Sequence, residues 1–335
     1  MHGNIQKGVR FGAALALALM LCATAALAAE TGGKRLVPVG HTVGVKLFSR
    51  GVVVVKLPEG STPARTCGLK TGDVIVECGG EAVTSTEQFQ SLLQENGTDT
   101  TELSVKRQGS PVTLSVEPER NEEGACCIGA WVRDSMAGIG TVTYYDPDSN
   151  TFGALGHGIT DGDTAALMPF GNGAILPSTV KAVKKGSCGS AGELRGEFDL
   201  TEELGQLYAN TGCGIFGTLN AACSLAEGEA LPVGDASEGP AVIRSNISGD
   251  EVQEYAVEIL KTIPDAPDGR ELVISVTDPE LIAATGGIVQ GMSGSPVLQN
   301  GRIVGAVTHV LLNDPTKGYG ILIENMLEAA GNDVN

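Results

Sequence analysis

Residues 289–297 read VQGMSGSPV, a glycine- and serine-rich turn that leads into an apolar, strand-like run. Taken alone, the stretch fits an ordinary flexible turn. It also fits a loop that carries a nucleophile, because Gly291 can adopt a backbone conformation that is strained for residues with a Cβ atom. The Gly291 and Ser293 amides can then both donate hydrogen bonds to one oxyanion. Ser295 is the rival hydroxyl, although Pro296 restricts its backbone. A serine attacks only with a base in hydrogen-bond reach, so the histidines decide between the interpretations.

Three histidines follow the apolar N-terminus, and one of them has the setting of a catalytic base. His157 stands in FGALGHGI, between two glycines that remove side-chain bulk and let the imidazole face a cleft. His41 lies near the start of an early strand, where a surface position is expected. His309 lies in an apolar strand, where a histidine is structural or lines a substrate site. The sequence therefore predicts Ser293 as nucleophile and His157 as base.

Charge and the N-terminus limit the classes of protein that this chain can be. The formal net charge of -18 comes without a basic stripe, which argues against nucleic acid as a partner. Lys7 and Arg10 precede an uncharged run from Phe11 to Ala29, which ends in the small-residue pattern of an export signal. The run is also long enough to serve as a membrane anchor. Residues 1–29 are predicted to be a signal peptide or N-terminal anchor of an exported protein.

The cysteines predict neither a metal site nor a cofactor. Eight cysteines are spread along the chain without a zinc-type C-x-x-C pair, so we expect no structural metal. Cys188, Cys213 and Cys223 fit either a set that includes one disulfide or small buried residues and free thiols in a reducing habitat. No other pattern in the sequence calls for a cofactor.

Residues 37–118 have the pattern of a small domain of strands and one helix. In chain order the segment has two strand-like runs, a glycine-turn stretch, an amphipathic helix and two alternating strands: Val43–Phe48, Gly51–Leu57, STPARTCGLKTGDVIVECGGEAV at 61–83, Ser85–Glu95, TELSVKR and TLSVEP. This order resembles a PDZ domain. The resemblance implies a groove between the first strand and the helix, with Val43, Gly44 and Val45 binding a peptide or C-terminus at the sheet edge.

The charged link EPERNEE at residues 117–123 is the predicted domain boundary. From residue 124 to residue 335, short apolar runs alternate with turns rich in glycine, aspartate and proline, and helical signals are scarce before Ile323–Ala330. The pattern predicts an all-β barrel or sandwich for this second domain.

Two long stretches carry a more specific resemblance: WVRDSMAGIGTVTYYDPDSNTFGALGHGI at 131–159 and TGGIVQGMSGSPVLQNGRIVGAVTHVLLNDPTKGYGI at 285–321. They resemble the stage IV sporulation protein B family of serine peptidases. Members have an N-terminal membrane segment, a PDZ domain and a peptidase domain grouped with chymotrypsin-like proteases. The resemblance implies a mainly β chain, with a PDZ-like domain followed by a chymotrypsin-like double β-barrel, and it implies Ser293 and His157 as the catalytic pair.

The acid of the triad has more than one candidate. The family pattern, carried over, places it at Asp278, shortly before the nucleophile. The longer intervals between triad members in chymotrypsin-like proteases favour Asp199 instead, and Asp161 or Asp163 are further options. Loops vary freely in length, so spacing is the weaker argument, and we expect Asp278 to complete the triad.

The resemblance also implies a role in endospore formation. Family members act between the mother-cell and forespore membranes, where they cleave themselves and a membrane-associated regulator. That cleavage frees an intramembrane protease to activate a late sigma factor. The predicted partners are a protein substrate at a membrane surface and a second copy of the chain for cleavage in trans. Two alternatives are a general envelope quality-control protease with a PDZ sensor and a non-catalytic PDZ scaffold.

Overall fold

The structure is a computed structural model that describes residues 33–220 and 223–332, and the predicted leader, residues 1–29, lies outside them. Contacts divide the chain into Met1–Arg35 and a compact unit, Leu36–Asn335. Strands hold 50% of the residues and helices 11%, which confirms the predicted mainly β class. None of the described helices is long and apolar enough to cross a membrane.

The N-terminal part folds as a sheet packed against one amphipathic helix. Its elements are β1 (Arg35–Pro38), β2 (Thr42–Lys56), α1 (Pro63–Thr66), β3 (Val74–Cys78), β4 (Glu81–Ala82), α2 (Thr86–Asn96), β5 (Thr101–Arg107) and β6 (Ser110–Val116). Helix α2 begins after Ser85, whose hydroxyl accepts a hydrogen bond from the Gln88 amide at 3.1 Å. The helix buries Phe89 and Leu93 against β2, β3 and β5, which fixes it on the sheet.

A first barrel follows the link. Strand β7 (Glu119–Arg120) lies in the link and pairs with β8 (Cys126–Cys127) just after it. The next strands are β9 (Trp131–Asp146), β10 (Thr151–Ala154), β11 (Phe170–Lys184), β12 (Glu193–Phe198), β13 (Gly205–Thr211) and β14 (Gly214–Leu219). Pairing runs β2, β9, β10, β14, β13, β11 and back to β2, so these described strands form a closed ring. The ring is complete only with a strand from before the link.

Strand β2 therefore belongs to both parts of the architecture. Residues 42–48 pair with β9 along one edge, and 43–49 pair with β11 along the other. The second half of β2 pairs with β3 and with the first residues of β9. Gly51 lies between the halves with a φ of 98°, and a Cβ there would come within 2.5 Å of the Ile75 carbonyl oxygen. Glycine allows this irregularity without ending the strand.

The predicted placement of the peptide groove at Val43, Gly44 and Val45 is wrong. Both edges of this part of β2 are already hydrogen-bonded, so no peptide can add a strand there. Val43 and Val45 are buried, and Gly44 lies against the ring of Phe198. The sequence pattern predicted two separate strands, Val43–Phe48 and Gly51–Leu57, whereas the chain continues through both as one strand, β2.

A second barrel completes the fold. Before it, β15 (Leu231–Pro232) pairs with β1 at the edge of the first sheet. The elements that follow are β16 (Gly239–Ser245), β17 (Gln253–Thr262), β18 (Leu272–Val276), α3 (Pro279–Thr285), β19 (Pro296–Gln299), β20 (Arg302–Val310), β21 (Lys317–Leu322) and α4 (Ile323–Asn332). Strands β16 to β21 close around an aliphatic core. Helix α3 is absent from the sequence-based expectation. The seven cysteines among the described residues are all free.

The shared strand generates a prediction about residues 124–335, the predicted peptidase domain. Expressed alone, this fragment should fail to fold, because it lacks the strand that closes its first barrel. Burial of Val43, Val45 and Leu47 contributes about 1.5–3 kcal/mol for each side chain, a sum comparable with the net stability of about 5–15 kcal/mol of a typical domain. Circular dichroism and urea unfolding would compare the fragment with residues 33–335. An equally cooperative transition in both would contradict the expectation.

Candidate active site

A cavity of about 720 Å³ lies where the two barrels meet, and it contains both predicted catalytic side chains. His157 comes from the loop after β10 in the first barrel. Ser293 comes from the loop before β19 in the second barrel. The structure therefore brings the predicted base and the predicted nucleophile, which are distant in sequence, into one cavity.

Two glycines explain the position of His157. Gly156 has a φ of 68°, and a Cβ there would lie 2.9 Å from Cγ2 of Thr308. A Cβ on Gly158 would overlap the carbonyl oxygen of Thr211. The loop thus packs against β20 on one side and the end of β13 on the other, too closely for side chains at either position. This close packing presents the imidazole between them to the cavity.

The ring of His157 has the tautomer that a base requires. Its Nδ1 lies 2.9 Å from the Gly158 carbonyl oxygen, and Nδ1 must carry the hydrogen because a carbonyl only accepts. Nε2 then keeps its lone pair. Burial lowers the pKa of His157, and this effect exceeds the opposite effect of the Gly158 hydrogen bond. The ring is therefore neutral at pH 7 and able to accept a proton.

Hydrogen bonds to both barrels hold the loop that carries Ser293. The Ser293 carbonyl accepts from the Thr141 amide at 2.9 Å, and the Thr141 hydroxyl donates to the Gly291 carbonyl at 2.8 Å. On the other side, the Gly294 amide donates to the Val307 carbonyl at 2.7 Å. Gly294 has a φ of 96°, and a Cβ there would overlap the Thr141 carbonyl oxygen. The glycines of this loop thus allow the two barrels to approach each other closely at Ser293.

Ser293 and its rival Ser295 differ in their surroundings. Ser293 is partly exposed in the cavity, and its hydroxyl donates to the Thr308 carbonyl at 2.7 Å. It must rotate from that carbonyl toward His157 before the proton can transfer. Ser295 is fully buried, and its hydroxyl donates to Ser245 at 3.2 Å inside the second barrel. Of these two serines, Ser293 is the one that a substrate can reach.

The predicted oxyanion donors are the amides of Gly291 and Ser293. Among residues 33–220 and 223–332, neither amide donates to a protein acceptor, whereas the intervening Met292 amide donates to the Val289 carbonyl at 3.1 Å. Gly291 has a φ of 99°, and a Cβ there would lie 3.0 Å from Cβ of Leu194. The two amides are therefore available to a bound carbonyl, and their role as an oxyanion hole stays a prediction.

The predicted acid, Asp278, lies away from His157. Asp278 is the N-cap of α3, and its Oδ1 accepts from the amides of Glu280 at 2.9 Å and Leu281 at 3.0 Å. Its other oxygen accepts from the Ala256 amide at 3.3 Å, and Asp278 does not line the cavity. The sequence carried a signal for this role, because aspartate followed by proline is a typical start of a helix.

The other acidic candidates are also engaged elsewhere. Asp199 is exposed and accepts from the amide and hydroxyl of Thr201. Asp161 is buried against the Arg133 guanidinium, which Asp163 also contacts at 3.1 Å. Burial alone would raise the pKa of Asp161, but hydrogen bonds from its own loop and the guanidinium hold it below its ordinary value. Among the described residues, no carboxylate lines the cavity.

His309 is a cavity residue that the sequence predicted to be structural or to line a substrate site. Its ring centroid lies 5.0 Å from that of His157, with the planes tilted by 38°. The pKa of His309 is lowered, first by loss of solvent around the ring and then by the neighbouring His157. The cavity therefore holds two neutral imidazoles at pH 7. The strand position of His309 gave no signal that the fold pairs it with His157.

Comparison with protein families gives two matches. The model of SpoIVB peptidase S55 matches residues 124–327, which is more than half of the chain, and the PDZ domain model matches residues 37–117. These matches confirm the resemblance that the sequence motifs indicated.

Similarity to curated proteins is local. Serine protease HTRA1 of Xenopus tropicalis is 35% identical over 74 residues, which are 22% of this chain and 15% of that protein. Serine protease Do-like HtrA of Lactococcus lactis subsp. cremoris is 43% identical over 68 residues, which are 20% of this chain and 17% of that protein. The chain thus spans less than a fifth of the length of either relative.

Solved structures also match, with low scores. The active form of the Rv3671c protease from M. tuberculosis is 15% identical, with a TM-score of 0.31 over 61% of this chain and 75% of that chain. The PDZ domain of the SdrC-like protein from Listeria monocytogenes is 24% identical, with a TM-score of 0.23 over 25% of this chain and 87% of that chain.

The capping role of Asp278 predicts that serine can replace it. Asp278→Ser should unfold like the native chain and keep kcat/KM for peptide cleavage within about threefold, because serine caps helices as well as aspartate does. Asp278→Ala should lose about 1 kcal/mol of unfolding free energy with the same activity per folded molecule. Urea unfolding and steady-state kinetics measure both. A well-folded Asp278→Ser with activity lowered about 10⁴-fold would instead identify Asp278 as the acid.

The lowered pKa of His157 predicts the pH dependence of cleavage. The base works when neutral, so kcat/KM should fall on the acid side with a midpoint below 6.5, the ordinary value for histidine. His309→Gln should leave the midpoint below 6.5, because burial is the main cause of the shift. Rates measured from pH 4.5 to 8, with circular dichroism to confirm folding, test this. A midpoint at or above 6.5 would contradict the described burial of the ring.

Proposed function

The chain belongs to the SpoIVB peptidase S55 family, and from this premise we propose that it is a serine endopeptidase acting through Ser293 and His157. The observation that carries the proposal is the cavity that both side chains share, in which His157 has its Nε2 lone pair free. Nucleophilic catalysis needs a hydroxyl and a neutral base in one solvent-accessible site. The buried position of Ser295 supports Ser293 as that hydroxyl.

The proposed reaction is acyl transfer to Ser293 followed by hydrolysis. His157 Nε2 takes the Ser293 proton while Oγ bonds to the peptide carbonyl carbon, and the Gly291 and Ser293 amides stabilise the oxyanion that forms. His157 then protonates the leaving amine, so the peptide C–N bond breaks and an acyl-enzyme remains. Water, deprotonated by His157, attacks the acyl carbon, and the bond between that carbon and Oγ breaks. His157 returns the proton to Oγ, so that the acid product leaves and the free Ser293 hydroxyl is restored.

We infer that the Gly158 carbonyl performs part of the task of a triad acid. It holds the Nδ1 hydrogen and so fixes the tautomer and orientation of His157. It does not supply the full negative charge that a carboxylate offers to the imidazolium during attack. The arrangement therefore supports a Ser293–His157 dyad, and the lowered pKa of His157 favours transfer of its proton onward to the leaving amine.

We propose a finer role that follows the family. The protein would act outside the cytoplasm at a membrane surface during sporulation, cleaving copies of itself and a membrane-associated regulator. That cleavage would trigger intramembrane proteolysis and late sigma-factor activation. The family match and the export pattern of residues 1–29 support this role. The PDZ match supports recognition of a peptide or C-terminus of the substrate.

The similarity to HtrA proteases favours a second candidate, a general envelope quality-control protease with a PDZ sensor. That similarity covers about a fifth of the chain, whereas the S55 match covers residues 124–327, which include the cavity. Expression confined to sporulating cells would support the family role. Steady expression in growing cells, with cleavage of many denatured proteins, would support the second candidate.

The proposal predicts a sharp difference between two serine variants. Ser293→Ala should lower kcat by at least about 10³-fold and abolish labelling by a fluorophosphonate probe, because the nucleophile is lost. Ser295→Ala should still be labelled at Ser293. Its free energy of unfolding should be lower, because the substitution alters the core of the second barrel. Mass spectrometry of the labelled native chain should locate the adduct on Ser293. Adduct on Ser295, or no adduct on the folded chain, would overturn the proposed role of Ser293.

A further inference from the structure

The walls of the catalytic cavity carry no fixed charge. Among the described residues that line it, none is aspartate, glutamate, lysine or arginine, and the two histidines are neutral at pH 7. The other polar side chains in the lining are hydroxyl groups and one side-chain amide. Leu167 stands at the cavity with 43% of its surface exposed and adds an apolar group to the lining. The site is thus built to contact uncharged groups.

The positions of the base and the nucleophile orient a peptide in this cavity. His157 delivers a proton to the leaving amine, so the C-terminal half of the substrate lies on the side of the first barrel. The acyl half stays bonded to Ser293 and lies on the side of the second barrel. The side chain just before the cleaved bond therefore meets the second-barrel wall.

Two aliphatic side chains on that wall are central. Ile288 precedes the nucleophile loop and is 2% exposed, and Val310 lies near the end of β20, where it pairs with Gly318 of β21. A Cβ on Gly318 would lie 2.6 Å from Cδ1 of Ile288, so the missing side chain leaves the space that Ile288 fills. Val310, which is partly exposed, and the edge of the nearly buried Ile288 thus line the cavity that also contains Ser293.

We propose that the site selects an uncharged, apolar residue immediately before the cleaved bond, with Ile288 and Val310 as specificity-determining residues. A charged side chain there would lose its hydration without finding an oppositely charged partner, which costs free energy. Burial of an apolar side chain at the same place is favourable, because it removes apolar surface from water. This inference rests on the proposed peptidase function and adds the class of peptide bond that it accepts.

The experiment uses amino-acid diphenyl phosphonates, which react with an active serine only when their side chain fits beside it. The full chain is treated with valine, leucine, lysine and glutamate analogues, and loss of later fluorophosphonate labelling gives each rate. The valine or leucine analogue should react at least about 100-fold faster than the lysine and glutamate analogues. Equal rates, faster reaction of a charged analogue, or no reaction with any analogue in a chain that the fluorophosphonate labels would overturn the inference.

A matched pair of variants tests the residues named. Val310→Glu places a carboxylate on the wall and should raise the rate of the lysine analogue relative to the leucine analogue at least about tenfold. Val310→Gln has the same length without the charge and should keep the native order. An unchanged order in Val310→Glu that still labels would remove Val310 from the specificity role.

Failure of the underlying function gives a different result from failure of the inference. A native chain that is folded but unlabelled by the small fluorophosphonate contradicts the peptidase proposal itself. A labelled chain with the wrong preference contradicts only the apolar selection. If Val310→Glu does not fold, the rates of the native chain with the four analogues still decide the inference.

Discussion

The sharing of strand β2 between two sheets is the constraint on which the rest of the structure depends. Its first half closes the first barrel, burying Val43 and Leu47, and its second half buries Val52 and Val54 in the PDZ-like core. Val45 on the same strand lines the catalytic cavity. The PDZ-like part is therefore a structural component of the peptidase, because the ladder hydrogen bonds of one continuous strand couple the two cores.

The catalytic centre depends in turn on contact between the two barrels. Neither barrel holds a complete site, since the proposed base comes from the first and the proposed nucleophile from the second. The Ser293 loop is bonded to Thr141 on one side and Val307 on the other, while Gly156 lets the His157 loop approach β20. Glycine at these positions is a requirement of close backbone approach. The same closeness removes part of the water around His157 and lowers its pKa.

Local patterns predicted the elements that local interactions determine. The strand Thr101–Arg107 and the capped helix after Ser85 follow from alternation and from one side-chain cap, and the sequence identified both. The errors arose where a local signal had two meanings. Gly51 is compatible with a turn or with an irregular strand, and distant pairing partners made it the second. The Asp278–Pro279 pair is compatible with the acid of a catalytic triad or with a helix N-cap, and in the structure Asp278 is the N-cap.

The sequence alone determined the mainly β class, the order of the two domains, and the pairing of a glycine-flanked histidine with a serine loop, because spacing and residue type carry that information. Tertiary structure decided that Val43–Val45 complete a barrel and that His309 lies beside His157. Each of these depends on contacts between segments far apart in the chain. Their free energy comes from burial and edge pairing, which no local pattern encodes.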